Sequence, residues 1–284
     1  MADPVLKFKD KGPDVAVAQD LLNRNGAILD ADCDFGSGTE SAVREFQTTA
    51  RLAVTGVIDA ATWQALRSLP EPSPDIPTRA VAFIGREEVG SRQTYDLTCS
   101  RPTWPGGASG VTIGIGYDLG YQSAFEADWS DALTADQIAA LKPWLGLKGD
   151  PAKSAPNTLT NIVIPWHASW MVFIRRGLPQ HVTMTRDAFT GVSQMPRLCF
   201  GVLVSLVYNR GASMTDSPDR PGNRREMRDI QKAVREGRFQ DIPAALRSMQ
   251  RLWPPNSGLF LRREREAKLF EEGLSQARSA QGSN

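Results

Sequence analysis

The chain has 284 residues, of which 33 are lysine or arginine and 32 are aspartate or glutamate, giving a formal net charge of +1. This balance provides no overall positive field for nucleic acid, so no nucleic acid partner is predicted. The 3 cysteines are far apart and the chain has 2 histidines, which favours neither a disulfide framework nor a zinc site, so no metal or cofactor is predicted.

Two further features bear on location. The N-terminal sequence lacks a basic start followed by an apolar core, and the longest apolar run, residues 198–208, is roughly half a membrane span. We therefore expect synthesis in the cytoplasm without a signal peptide, no membrane insertion and a monomer. The charge is uneven, because residues 1–70 carry 7 basic and 10 acidic side chains. The mildly cationic remainder suits an anionic envelope surface, although solubility explains it equally well.

Three short helices are predicted before residue 70. The first is indicated by apolar residues at helical spacing: Val15, Val17, Ala18, Leu21 and Leu22. Asn25-Gly26 ends it, and a second helix opens at Gly38-Thr39. A third follows Asp59, a favourable N-cap, with Trp63 and Leu66 facing inward. The pattern predicts a compact all-α module without a candidate catalytic residue.

Residues 5–67 resemble the three-helix peptidoglycan-binding module found on many wall hydrolases. The runs D-F-G-S-G-T-E-S-A-V-R-E-F-Q and T-G-V-I-D-A-A-T-W-Q-A-L carry the resemblance, with departures at Cys33-Asp34 and Ala50-Arg51. The resemblance implies bacterial peptidoglycan as the partner. Candidate ligand contacts on the surface of this module are Asp34, Gly36 and Thr39.

Residues 70–78, P-E-P-S-P-D-I-P-T, contain four prolines and predict a stiff extended linker. The linker separates a peptidoglycan-binding domain at residues 1–69 from a larger domain at residues 79–284, and both lengths are typical of domains.

A carboxylate pair marks the start of the larger domain. Residues 79–89 predict a helix with one buried face, which Gly90 terminates. Glu87 and Glu88 lie at its C-terminal end, where the helix dipole and apolar neighbours favour the protonated carboxyl that a general acid requires. An ordinary pair of surface charges is the alternative.

Residues 110–120, G-V-T-I-G-I-G-Y-D-L-G, place a hydroxyl and a second carboxylate among glycines. A strand over residues 111–115 would place Val111, Ile113 and Ile115 on one face. The other face would carry Thr112, Gly114 and Gly116, and the two glycines would leave it open to a ligand. Two carboxyl groups and a hydroxyl are the equipment of a glycoside hydrolase. Glycines also mark bulges and turns, which is the structural alternative.

Together these segments resemble phage-type lysozymes. Glu88, seven residues before Tyr95 and followed by T-I-G-I-G, has their spacing, and the run from 110 to 120 is closer still to the pesticin-like bacteriocins. The resemblance implies a catalytic set of Glu88, Thr112 and Asp118. The Asp that phage lysozymes place six residues before the Thr is Gly106 here, so the carboxylate role passes to Asp118.

Two later runs agree with this resemblance. Residues 203–211, L-V-S-L-V-Y-N-R-G, and residues 258–270, G-L-F-L-R-R-E-R-E-A-K-L-F, resemble the central helix and a C-terminal helix of these lysozymes. The implied fold is mainly α: an α+β lysozyme-like catalytic domain with a small β-hairpin lobe, plus the three-helix wall-binding domain. Residues 121–197 match no known pattern, although Thr134 and Gln137 predict a capping box.

Further candidates for substrate contact are Tyr117, Trp104 and Asn209. Exposed aromatic rings stack on sugar faces, but core packing is the alternative for Tyr117 and Trp104. For Asn209, as for Arg262-Arg263, the alternative is a scaffold role. The two histidines are predicted to be non-catalytic.

The implied reaction is hydrolysis of the β-1,4 bond between N-acetylmuramic acid and N-acetylglucosamine. Glu88 would protonate the leaving oxygen while Asp118 and Thr112 hold the attacking water, which predicts inversion and carboxyl groups roughly 6.5–9.5 Å apart. A separation near 5 Å would favour a covalent intermediate on Asp118.

Other functions remain open at this point. The alternatives are a lytic transglycosylase, an amidase or peptidase that uses a cysteine and a histidine, and an inactive wall-binding protein. The order of the modules favours a phage endolysin, made in the host cytoplasm and acting on the wall after release, over a secreted antibacterial effector or bacteriocin.

Overall fold

The computed structural model describes residues 3–281, and these are mainly helical, which confirms the predicted fold class. The chain divides into two compact units. The first comprises the residues up to Pro72 together with Gly85–Leu178, and the second comprises Ser73–Ile84 together with the residues from Pro179 onward. The chain therefore passes between the units three times: within the proline-rich segment after Pro72, within the following helix after Ile84, and after Leu178.

The helices of the first unit, including the one that the division crosses, are α1 Pro13–Arg24, α2 Ser37–Thr49, α3 Ala60–Arg67, α4 Thr78–Val89, α5 Arg92–Thr98, α6 Phe125–Trp129, α7 Ala135–Leu141, α8 Ala155–Thr158 and α9 Trp166–Val172. A π-helical turn, Phe173–Gly177, follows α9. Within the described residues the strands are β1 Thr112–Ile113 and β2 Tyr117–Asp118, which pair antiparallel.

The N-terminal module has its own core. Side chains of α1, α2 and α3 surround it together with residues of the loops: Leu6, Val15, Ala18, Leu21, Leu22, Phe35, Val43, Phe46, Ile58, Trp63 and Leu66. Asp59 caps α3 as predicted, since its side chain accepts a 2.9 Å hydrogen bond from the Thr62 amide. The predicted first helix is confirmed by α1, in which Val17 is the exposed member of the apolar set, at 46%.

A second core of the first unit lies beneath the hairpin and contains Val111, Ile113, Trp129, Leu141 and Ile164. The predicted capping box is confirmed at the start of α7, where Thr134 and Gln137 exchange side chain to backbone hydrogen bonds.

The module also contacts the remainder of its unit. The Trp166 indole donates a 2.9 Å hydrogen bond to the carbonyl of Gly26, and Arg86 forms a 2.7 Å ion pair with Asp30.

The proline-rich segment packs against the protein rather than running free. Ser73 and Ile76 are buried in the second unit, and the Ser73 hydroxyl accepts a 3.2 Å hydrogen bond from the Asp75 amide. The predicted boundaries, 1–69, 70–78 and 79–284, stay a prediction.

The helices of the second unit, besides the first part of α4, are α10 Leu178–Ala188, α11 Arg197–Arg210, α12 Arg225–Arg235, α13 Ile242–Ser248 and α14 Gly258–Gln281. Helix α11 is buried throughout its middle, from Leu198 to Val207, as its uninterrupted apolar sequence requires. It packs along α14. In residues 3–281, no helix is both long enough and apolar enough to span a membrane.

Candidate active site

The hairpin brings two of the predicted catalytic residues together. Thr112 in β1 pairs directly with Asp118 in β2. The turn between the strands is possible because Gly114 and Gly116 adopt positive φ angles of 58° and 70°. Directly opposed residues in an antiparallel pair project to the same face of the sheet. The Thr112 hydroxyl and the Asp118 carboxylate are therefore neighbours, and both side chains are half-buried.

Backbone amides hold the Asp118 carboxylate in place. It accepts hydrogen bonds from the Gly110 amide at 3.0 and 3.1 Å and from the Gly120 amide at 2.8 Å. A Cβ atom at Gly110 would lie 2.5 Å from both the Asp118 Oδ1 atom and the Gly120 nitrogen. The close approach of these backbone segments explains two glycines of the run and fixes the carboxylate at the base of the hairpin.

The predicted open face of the strand is wrong at Gly114. This residue is buried, and a Cβ atom there would lie 2.6 Å from the Ser169 Oγ atom. The absent side chain leaves room for α9 and not for a ligand. The opposite face is as predicted, because Val111, Ile113 and Ile115 are all buried.

Glu87 and Glu88 are half-buried in the last turn of α4. Gly90 follows with a φ of 79°, so the predicted helix terminator is confirmed. One turn earlier, Gly85 lies against two bulky side chains, and a Cβ atom there would be 3.0 Å from Ile28 and 3.3 Å from Trp170. The end of α4 that carries the predicted general acid is thus tightly seated in the first unit.

Helix α9 supports both parts of the site. Trp170 faces α4, and the neighbouring Ser169 lies beneath the hairpin turn. Ser169 also shares a hydrogen bond with the buried hydroxyl of Tyr95, which donates to the Ile164 carbonyl at 2.8 Å. Burial raises the pKa of Tyr95 to about 12. The supporting roles of Ser169 and Trp170 were not predicted from the sequence, where the aromatic spacing W-H-A-S-W was the only available signal.

The two aromatic candidates differ in burial. Tyr117 is 8% exposed, and its hydroxyl donates a 2.8 Å hydrogen bond to Asp128, so it is a core residue, as the alternative interpretation held. Burial and the hydrogen bond to Asp128 raise its pKa. Trp104 is half-buried, with its indole donating to the Ser109 carbonyl at 3.0 Å. Substrate contact by Trp104 stays a prediction.

The three ligand candidates of the N-terminal module also differ. Thr39 is 3% exposed and accepts a 3.1 Å hydrogen bond from Gln19, so its role is structural. Asp34 lies at the surface in a 2.7 Å ion pair with Lys11. Gly36 precedes α2, and no atom lies within 4 Å of the position that a Cβ atom would take there. Ligand contact by Asp34 and Gly36 stays a prediction.

In the second unit, Asn209 lies at the end of α11 and accepts a 3.1 Å hydrogen bond from Arg263. Arg263 is fully buried and forms a 3.1 Å ion pair with Glu266, and Arg262 binds the same carboxylate at 3.2 Å. This buried network joins α11 to α14. The scaffold interpretation of these residues therefore accounts for every contact described for Asn209.

Comparison with known proteins supports the identity of the N-terminal module. Residues 11–66 match the family of peptidoglycan binding domains, which confirms the resemblance predicted for this segment. Among solved structures, the chain is similar to the crystal structure of Burkholderia AP3 phage endolysin, with 15% identity over 95% of this chain and 100% of that chain and a TM-score of 0.23. No curated protein matches the chain.

Proposed function

We propose that the chain is a peptidoglycan muramidase that hydrolyses the β-1,4 bond between N-acetylmuramic acid and N-acetylglucosamine. The match of residues 11–66 to peptidoglycan binding domains supports the choice of polymer. The pairing of Thr112 with Asp118 supports the chemistry, and it is the observation that carries the proposal. A hydroxyl and a carboxylate side by side on one face can bind and orient a single water molecule.

In this proposal Glu88 acts as the general acid and protonates the oxygen of the leaving sugar. Asp118 accepts a proton from the attacking water, and Thr112 fixes that water by a second hydrogen bond. Oδ1 of Asp118 accepts hydrogen bonds from two backbone amides, whereas Oδ2 accepts one. Oδ2 therefore has more capacity left to bind the attacking water and accept its proton. Attack by a water held opposite the acid inverts the anomeric centre.

The physiological role that follows is that of an endolysin. A wall-binding module joined to a lytic site concentrates the enzyme on its insoluble substrate, since the second contact becomes intramolecular. We propose that the protein is made in the cytoplasm and reaches the wall after release.

The two adjacent glutamates provide a matched test. We expect Glu88→Gln to lower the rate of lysis of purified walls at least about a hundredfold, the usual loss when a general acid is removed. Glu87→Gln, which makes the same change one residue away, is expected to stay within about threefold of the unaltered protein. Turbidity of a wall suspension measures both. Full activity of the Glu88 variant would refute the assignment.

A further inference from the structure

A groove of about 390 Å³ lies on the surface of the first unit, and its lining contains no residue of the hairpin. One wall is formed by α2 and the loop before it, and the other by Arg86 of α4 and the residues that follow this helix. The lining includes Ser37, Ser41 and Glu45 on the first wall and Gly90, Ser91 and Gln93 on the second. None of these six residues is among the predicted catalytic or ligand-binding residues.

The charged groups of the groove are already paired across it. Arg86 binds Asp30 at 2.7 Å, and Arg92 binds Glu45 at 3.2 Å, and all four residues line the groove. The positive charges of one wall are therefore neutralised by the negative charges of the other. The remaining polar side chains are the Ser37 and Ser41 hydroxyls and the Gln93 amide, which both donate and accept hydrogen bonds, while the Ser91 hydroxyl already caps α5. Apolar residues complete the lining: Ala27, Ile28, Leu29 and Ala42. Such a lining suits an uncharged ligand with hydroxyl and amide groups.

The two walls are held together before any ligand binds. Trp166 donates its indole hydrogen bond to Gly26, just before the first wall. Arg92 of the second wall lies over the same ring, 4.6 Å from its centroid. Because the groove is preformed, a ligand would not have to order its walls on binding.

The position of the groove indicates its ligand. The first wall lies within residues 11–66, the segment that matches peptidoglycan binding domains. The second wall consists of Arg86 and residues 90–93, which lie on either side of Glu88 in the sequence. A polymer strand seated here would contact the wall-binding module and the end of the helix that carries the proposed general acid.

We propose that this groove binds the glycan strand of peptidoglycan, whose hydroxyl and acetamido groups match its lining, and that binding requires both walls. The inference rests on the proposed function only for the identity of the polymer and not for the chemistry of cleavage.

The test measures binding of the full chain to insoluble peptidoglycan by co-sedimentation, in a Glu88→Gln background that limits digestion. Ser41→Trp and Gln93→Trp block the groove from opposite walls, and both residues are exposed. Matched controls are Gln64→Trp, on an exposed face of α3, and Leu97→Trp, one turn beyond Gln93 on α5, where the side chain is 77% exposed. Ser41→Arg and Gln93→Arg repeat the block with a different side chain.

We expect each blocking variant to weaken binding about tenfold or more, the loss typical of an obstructed central contact, while the controls stay within about twofold. Glycan strands stripped of their stem peptides, with the exposed lactyl carboxylates converted to amides, are expected to compete as well as intact fragments. Unchanged binding by the Gln93 variants would show that the module binds alone, and competition only by stem peptides would assign the ligand to the peptide. Either result overturns the proposal. Sugar release by the Glu88→Gln protein would instead refute the proposed function and leave the binding comparison valid.

Discussion

Asp118 has two tasks in this protein, because the carboxylate proposed to act on water also holds the base of the hairpin together. Its bonds to the Gly110 and Gly120 amides are of ordinary length, 2.8–3.1 Å. Loss of activity on removing its side chain would therefore not distinguish chemistry from structure. A substitution that keeps the shape and removes the charge is needed.

Asp118→Asn meets this requirement. The amide oxygen can still accept from the two glycine amides, so we expect the free energy of unfolding to change by about 1 kcal/mol or less. The amide cannot accept a proton, so lysis of walls should fall at least about a hundredfold. Thermal unfolding and turbidity on the same preparation check the two expectations. Wild-type lysis by a stably folded variant would remove Asp118 from the mechanism and leave it only its structural task.

Tyr95 allows a test of the support beneath the site through pH. Its pKa is raised to about 12 by burial, whereas in the unfolded chain it ionises near 10. The folded state thus keeps the proton more tightly, so the stability linked to this group is fully present below pH 10 and is lost as the pH rises towards 12.

We therefore expect Tyr95→Phe, which cannot ionise, to lose less stability than the unaltered protein between pH 9 and 11, the difference being on the order of 1 kcal/mol. At neutral pH the variant should be less stable, because Ser169 and the Ile164 carbonyl lose their partner. Urea unfolding at each pH measures both effects. Parallel pH profiles for the two proteins would show that Tyr95 is not buried as described.

At the scale of elements, the sequence allowed good prediction wherever the signal lay within one helical turn. The Asp59 cap, the Thr134 capping box and the Gly90 terminator are all local hydrogen-bond or backbone requirements, and all three are confirmed. The predicted strand over residues 111–115 is shorter than expected and ends at Ile113. The alternation of its apolar residues is visible in the sequence, but the close packing of Gly114 against Ser169 joins residues that are distant in sequence.

Helix α9 shows why the rest of the site could not be predicted. It supports α4 through Trp170 and the hairpin through Ser169, and the only local signal, the aromatic spacing W-H-A-S-W, does not say which elements these residues contact. The catalytic set that contains Thr112 and Asp118 was implied by resemblance to a family, and the glycines around them left a bulge or turn as the alternative. Contacts between distant segments decide such positions.

Gly110→Ala tests whether the hairpin depends on close backbone approach. Gly110 does not have a positive φ, so the expected cost comes from the Cβ atom, which would meet the Asp118 Oδ1 atom and the Gly120 backbone at 2.5 Å. We expect a destabilisation of about 1–3 kcal/mol and a loss of lysis. Gly258→Ala is the control, since no atom lies within 4 Å of its Cβ position. Equal stability of both variants and the unaltered protein would contradict the described contact.

At the scale of the whole molecule, the proline-rich segment predicts two domains joined by a linker, and the contacts group the N-terminal module with residues 85–178. Trp166 and Trp170 are 5% and 1% exposed, and Gly26 covers both. Prolines in a segment indicate that the segment is stiff, but they do not indicate which other residues the preceding module packs against.

A chain that begins at Ser73 should therefore be less stable than the full chain. Removing the module uncovers the two tryptophans, and we expect the unfolding temperature to fall by about 5 °C or more, as a loss of a few kcal/mol would produce in a chain of this size. The tryptophan emission should shift to longer wavelength. Unfolding temperature and fluorescence identical to those of the full chain would show that the module is an independent attachment.

The central claim, that the chain is a muramidase, is tested most directly by mass spectrometry of the fragments it releases from purified peptidoglycan. We expect muropeptides with a reducing N-acetylmuramic acid end that carry the mass of one added water. Fragments ending in 1,6-anhydro-N-acetylmuramic acid would contradict the claim and indicate a transglycosylase, as would free stem peptides without new reducing ends, which would indicate an amidase or peptidase.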